Sequence, residues 1–258
     1  MKQEPKKKAP APKKADQYND PEFNYLDYWQ ARDYEHAAEE MAINNLLNSK
    51  HFKKAVDIGG GYGRLSVLLE QYADKVILAE PSAQQLDLAK VFLKDHPKVD
   101  RKLMQADKLD FKTGEIDLVA MIRVMHHLPD PSAEFSEIAR ILASDGYAVI
   151  EVANYTHARN RIKHILKHKK MPLEPVSIRT DSDEDEVAFV NHNPHTVIKQ
   201  LAHAGLTVDR ILSVSNLRST ALKKIMPKRM MLAIEGILQP TLASSFFGPS
   251  IFFLVRKG

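Results

Sequence analysis

Short apolar runs alternate with helically spaced segments through the middle of this chain. "KAVDI", "KVILAE", "RKLMQAD" and "EIDLVAMI" read as strands, the third the weakest of them. The segments "RLSVLLEQYA", "SAQQLDLAKVFLKD" and "SAEFSEIARILA" carry apolar residues at the three- and four-residue spacing of a helix with one buried face. The last of these leads through "SDG" into another apolar run, "YAVIEVAN". Strands that alternate with helices in this way predict an α/β fold, a doubly wound parallel sheet with helices on both faces.

The ends of the chain depart from that rhythm. Tyr25–Leu47 has helical spacing and predicts an N-terminal cap, within which Tyr25, Tyr28, Trp29 and Tyr34 are candidates for a lid. His157–Lys170 is a basic helical segment, and "DSDEDE" (Asp181–Glu186) is an acidic loop. "NPHTVIKQLAHAGLTVDRILSVS" reads as a helix, a glycine at its C-terminus and a strand. The final strand is "IFFLVRK". Between Gly236 and Val255 twenty residues carry no charge, nominally enough to cross a bilayer. Pro240, Gly248 and Pro249 interrupt them, so no transmembrane helix is expected.

Composition sharpens this picture at two points. The net charge of +4 comes from residues 1–14, with six lysines and one glutamate; the other residues hold 31 Lys and Arg against 32 Asp and Glu. Residues 1–16 therefore read as a disordered, solubilising tail rich in Lys, Pro and Ala, with no apolar core of a secretory signal. The domain expectation is this tail, a helical cap over 17–50, and one catalytic domain over 51–258 with insertions at about 156–190 and 217–249. The chain has no cysteine, which removes disulfides, thiolate metal sites, iron–sulfur clusters and cysteine nucleophiles together. A cytoplasmic protein is expected.

Four of the ten glycines fall within five residues of "AVDIGGGYGRLS" (Ala55–Ser66). Placed after the first strand, such a loop lies at the carboxyl edge of the sheet, where open α/β folds bind ligands. Its glycines Gly59, Gly61 and Gly63 form G-x-G-x-G, and Arg64 stands where a dinucleotide fold has its third glycine. No G-x-x-x-x-G-K-[ST] is present, so a P-loop is excluded. A bare loop without either phosphate-binding pattern leaves open a nucleoside that carries no phosphate and a tight turn that holds nothing.

With these motifs the chain resembles the class I S-adenosylmethionine-dependent methyltransferases, in their small type 11 branch. "VDIGGGYGRL" is similar to the first family motif, and Glu80 closes the second strand 23 residues after Asp57. Asp107 in "LMQADKLDF", the His-His-Leu of "IDLVAMIRVMHHLPDP", and Arg140, Leu142 and Gly146 before strand five extend the resemblance over about residues 53–154. It implies a Rossmann-like sheet of seven strands, the last antiparallel, with the N-terminal helix and the insertions as lid. It also implies S-adenosylmethionine as cofactor and S-adenosylhomocysteine as product. Gly59, Gly61 and Gly63 would contact the cofactor through backbone, with Asp57 orienting the loop or the amino group. Glu80 would accept the ribose hydroxyls, Pro81 and Ser82 would flank the adenine, and Asp107 would accept from its amine. Arg123 would lie beside the methionine carboxylate or the acceptor.

Methyl transfer from a sulfonium is an in-line displacement, so alignment is the protein's main task. A base is needed only where the acceptor must lose a proton, and His127 or His126, just past strand four, is the candidate. His164, His168, His192 and His195 lack a matching acid or third ligand, so no metal site is expected. A small-molecule acceptor, methylated at oxygen, nitrogen or carbon by a monomer or homodimer, is the leading expectation. The alternatives are RNA or protein methylation with the basic tail as docking arm, and a non-catalytic cofactor-binding protein.

Overall fold

The computed structural model describes residues 32–178 and 189–258. The basic tail, the aromatic residues Tyr25, Tyr28 and Trp29, and the acidic run Asp181–Glu186 lie outside the described residues. In chain order the helices are α1 (Asp33–Leu47), α2 (Ser66–Leu69), α3 (Ala83–Phe92), α4 (Ser132–Ile141), α5 (Ala158–Leu166), α6 (Pro194–His203), α7 (Thr220–Ile225) and α8 (Lys228–Thr241). The strands are β1 (Phe52–Ile58), β2 (Ala73–Glu80), β3 (Val99–Leu103), β4 (Ile116–Met121), β5 (Leu142–Ala153), β6 (Val176–Ile178), β7 (Phe189–Asn191), β8 (Leu206–Val214) and β9 (Ser250–Lys257).

Seven strands form one sheet in the order β3-β2-β1-β4-β5-β9-β8, and β6 pairs with β7 apart from it. β1 to β5 are parallel to their neighbours, whereas β9 runs antiparallel to both β5 and β8. This is the doubly wound, seven-stranded Rossmann-like sheet with its last strand reversed that the sequence predicts. Strand order reverses between β1 and β4, so the crevice at the carboxyl edge opens there.

The apolar runs of β1, β2 and β4 follow from burial on both faces. One face packs Ala55, Leu78, Leu118 and Phe252 with Tyr34, Ala38, Ala42, Ile43 and Leu46 of α1 and Met231 of α8. The other packs Val56, Ile77, Val119, Ile150 and Phe253 under Phe135, Ile138, Val197 and Leu201 of α4 and α6. The segment 217–249 supplies α7 and α8, and α8 lies against α1 and β8. Among the described residues no helix is long and apolar enough to cross a membrane.

Two elements are shorter than the sequence predicts. The helix expected over "RLSVLLEQYA" is only α2, because Gln71 and Tyr72 donate to the carbonyls three residues back and Phe52 N–H takes the Tyr72 carbonyl into the sheet edge. The strand expected over "RKLMQAD" stops at Leu103. Asp107 therefore does not close a strand; it sits in a turn bounded by the Gln105–Lys108 bridge.

Candidate active site at the carboxyl edge of the sheet

The glycine loop leaves β1 at the sheet's switch point. Gly59 and Gly61 have φ of +64° and +60°, a backbone that L side chains rarely adopt. Gly60 is bare for another reason. A Cβ there would stand 2.4 Å from Asp57 Oδ2 and 2.5 Å from Leu78 Cδ1. A Cβ on Gly59 would meet Val124 Cγ2 at 2.6 Å, so the loop also abuts the segment after β4. On Gly63 it would meet Leu93 of the loop after α3 at 2.7 Å, so that glycine admits close packing. Gly60 is not one of the G-x-G-x-G glycines, although its place beside a buried acid is tighter than that of Gly59 or Gly63.

Asp57 lies beneath the loop, not in the crevice. It is 1% exposed and accepts a hydrogen bond from Ser66 Oγ at 2.7 Å. Burial pushes its carboxyl up to about 6, against the pull of the Ser66 hydroxyl and the Arg64 charge. Through Ser66 the carboxylate ties the end of β1 to the start of α2, on the far side of the loop.

Glu80 ties two backbone segments together. Its Oε2 accepts Gly61 N–H at 2.9 Å, and its Oε1 accepts Ser82 N–H at 2.9 Å. Ser82 is turned inward as the N-cap of α3, where its Oγ accepts Gln85 N–H at 3.2 Å. The backbone on either side of Glu80 is thereby fixed, and Pro81 is exposed beside it. Pro81, Leu103, Met104, Gln105, Lys108 and Leu109 line a cavity of about 500 Å³. Asp107 is exposed next to this cavity, which takes Gln105 and Lys108 from its turn.

On the other side of the loop, Arg123 has a φ of +64° and is anchored at both ends. Its N–H donates to Glu151 Oε2 at 3.1 Å, and its Nε donates to Glu39 Oε1 at 2.7 Å. Glu39, fully buried on α1, also accepts Arg64 Nη2 at 2.7 Å, and Arg64 contacts His36 Nδ1 as well. Burial pushes the Glu39 carboxyl up, but the Arg123 and Arg64 guanidiniums outweigh it and hold it below the usual carboxylate range. Sequence reasoning did not single out Glu39. Its signal lies in the spacing: Glu35 and Glu39 share a helix face with Ala38, Ala42, Ile43 and Leu46, so two acids fall on the apolar stripe.

His126 and His127 occupy a 3-10 turn after β4, Met125–His127. Their rings lie 4.1 Å apart, and both pack on Phe189 at 5.1 and 5.2 Å. Desolvation, followed by the neighbouring His127, Arg123 and His192, holds His126 well below the ordinary imidazole value. His192 donates through Nε2 to the Met125 carbonyl at 2.9 Å and so pins this turn, a role that its H-x-x-H spacing did not reveal. His195 instead stacks edge-on against Phe246, and His164 bonds the Asn160 carbonyl.

The structure thus brings Gly59, Gly61, Glu80, Pro81 and Arg123 to the carboxyl edge of the sheet, with Asp57 buried beneath the loop, Ser82 turned inward as a helix cap, and the histidine turn on the segment that follows Arg123. Residues 18–210 match the methyltransferase domain family. A Dictyostelium discoideum protein with a provisional methyltransferase name is 33% identical over 96 residues, 37% of this chain and 35% of that protein. A ubiquinone biosynthesis O-methyltransferase of Thiobacillus denitrificans is 29% identical over 168 residues, 58% of this chain and 72% of that protein. The chain thus spans from about a third to under three quarters of these curated relatives. A solved SAM-dependent methyltransferase from Thermotoga maritima superposes with a TM-score of 0.65 at 18% identity, over 91% of this chain and 95% of that one. Fold, loop and family match agree, and the chain belongs to the class I S-adenosylmethionine-dependent methyltransferases.

Proposed function

We propose that the crevice binds S-adenosylmethionine and that the protein methylates a small-molecule acceptor. The observation that carries this reading is the Glu80 carboxylate, held at the end of β2 between the N–H groups of Gly61 and Ser82. An acceptor-only carboxylate that closes the second strand beside the bare loop suits a pair of vicinal hydroxyls. The bare loop fits the methionyl and ribose portions. The Pro81 cavity, with Leu103, Met104 and Leu109 as apolar walls and Gln105, Lys108 and Asp110 as polar groups, suits an adenine ring.

When bound, the sulfonium supplies an activated methyl group for in-line transfer. The chain's own contribution is then position. Glu39 and Glu151 fix Arg123, while His192 and Phe189 fix the histidine turn. His127 and His126, packed on Phe189 just past β4, are the side chains to take a proton from an acceptor hydroxyl or amine. The likeness to an O-methyltransferase makes hydroxyl groups the first acceptor class to test. Calorimetric titration of the purified chain with S-adenosylhomocysteine should show saturable binding, with none for a nicotinamide dinucleotide. The reverse pattern would defeat the proposal.

A further inference from the structure

The segment after β5 carries an unusual surface. α5 has no buried residue, yet it presents Ile162, Ile165 and Leu166 at 59%, 71% and 75% exposure. Positions i, i+3 and i+4 share one helix face, so these three side chains form a single aliphatic patch. Arg159, Lys163 and Lys167 are exposed along one flank of it, and Lys169 and Lys170 follow. The opposite side of the helix meets the protein: His164 packs edge-on against Tyr155, and Arg161 donates to the Thr156 and Phe246 carbonyls. From His157 to Leu173 there are six Lys and Arg and no Asp or Glu. Of the twelve large apolar side chains exposed among the described residues, five lie between Ile162 and Ile178.

We infer that α5 is a docking element for an anionic lipid bilayer. In this arrangement Ile162, Ile165 and Leu166 enter the boundary between headgroups and acyl chains, and Arg159, Lys163 and Lys167 meet the lipid phosphates. Charge decides among the occupants. A second copy of the same patch would bring cations against cations across a twofold axis. A single-stranded nucleic acid would use aromatic stacking platforms, and the exposed side chains here are aliphatic. A bilayer with anionic lipid satisfies both halves, since it attracts the cations and removes the aliphatic groups from water. The helix lies on the surface, in keeping with the absence of a spanning helix among the described residues. The inference concerns where the protein sits, and it holds or fails independently of the transfer reaction.

The test uses the full chain, vesicles of phosphatidylcholine with and without phosphatidylglycerol, and sedimentation of bound protein. Binding is expected only with phosphatidylglycerol. Ile165→Glu with Leu166→Glu should lower the bound fraction by about tenfold or more while leaving the melting temperature unchanged, because both positions are exposed. The chain has no cysteine, so Ile165→Cys accepts a single environment-sensitive dye, whose emission should shift to the blue on anionic vesicles. The inference is overturned if anionic vesicles do not bind, if the double substitution leaves binding intact, or if the dye does not shift. It is equally overturned if deleting residues 1–14 abolishes binding by itself, or if RNA and not vesicles shifts the dye.

Discussion

Glu39 and Arg123 lie 84 positions apart in the chain and meet at 2.7 Å, joining the N-terminal helix to the segment that follows β4. Arg64, in the turn between the glycine loop and α2, shares the same carboxylate. One buried acid therefore holds two guanidiniums from opposite sides of the crevice. Breaking a buried ion pair by removing one partner is strongly destabilising. Glu39→Ala should cost about 3–5 kcal/mol of stability, read as a lower urea midpoint. A loss well under 1 kcal/mol would mean that the two arginines find other acceptors.

Asp57 predicts a dependence on pH with a definite sign. Its folded value of about 6 lies above the ordinary 3.8, so the folded state binds this proton more tightly. The associated stability is full below about pH 4 and is lost as pH rises through about 6. Asp57→Asn removes the charge at nearly constant shape. It should match the parent near pH 4 and exceed it by up to about 3 kcal/mol near pH 8. Denaturation curves at the two pH values give the difference, and a constant offset between them would contradict the assignment.

Two substitutions separate the loop's shape from its ligand chemistry. Gly60→Ala places a methyl group against Asp57 and Leu78, so the loop must move. It should weaken S-adenosylhomocysteine binding and lower the melting temperature together. Glu80→Gln keeps an acceptor for one backbone N–H. It should weaken binding by about 1.5–3 kcal/mol, the scale of a hydrogen bond to a charged group, with a smaller change in melting. Unchanged affinity in calorimetry would remove Glu80 from the ligand site.

The histidine turn makes a kinetic prediction. If His126 takes the acceptor's proton, kcat/KM should stay flat as pH falls through 6.5 and drop only further into acid, since its value lies well below the ordinary one. His126→Gln should slow turnover and leave S-adenosylhomocysteine affinity unchanged. A parallel series at His127 shows which ring acts. Full activity of both variants on an acceptor that the parent protein methylates would confine the turn to a structural role.

Much of this could be read from the sequence because burial on both faces writes itself as uninterrupted apolar runs. "KAVDI" and "EIDLVAMI" became β1 and β4, and the reversal of the last strand followed from the family resemblance. What stayed hidden depends on pairing across long separations. Nothing local to Glu39 announces Arg64 and Arg123, and nothing near His192 announces the Met125 carbonyl. α2 is shorter than its apolar spacing predicts because that spacing continues into residues that turn back to meet β1. Asp107 falls outside β3 for a similar reason: strand propensity in "RKLMQAD" outlasts the pairing with β2, which ends at Leu103.

The place of β9 bears on how the molecule is made. Ser250–Lys257 is synthesised after β8, yet it fills the slot between β8 and β5 and bonds along nearly its whole length to both. While a ribosome is still producing the preceding segment, those two strands face an empty position, each with a row of unsatisfied amides of the kind that recruits foreign strands. Maturation must therefore wait for the final few codons of this stretch, and the nascent polypeptide is most exposed to misassociation just before they are read.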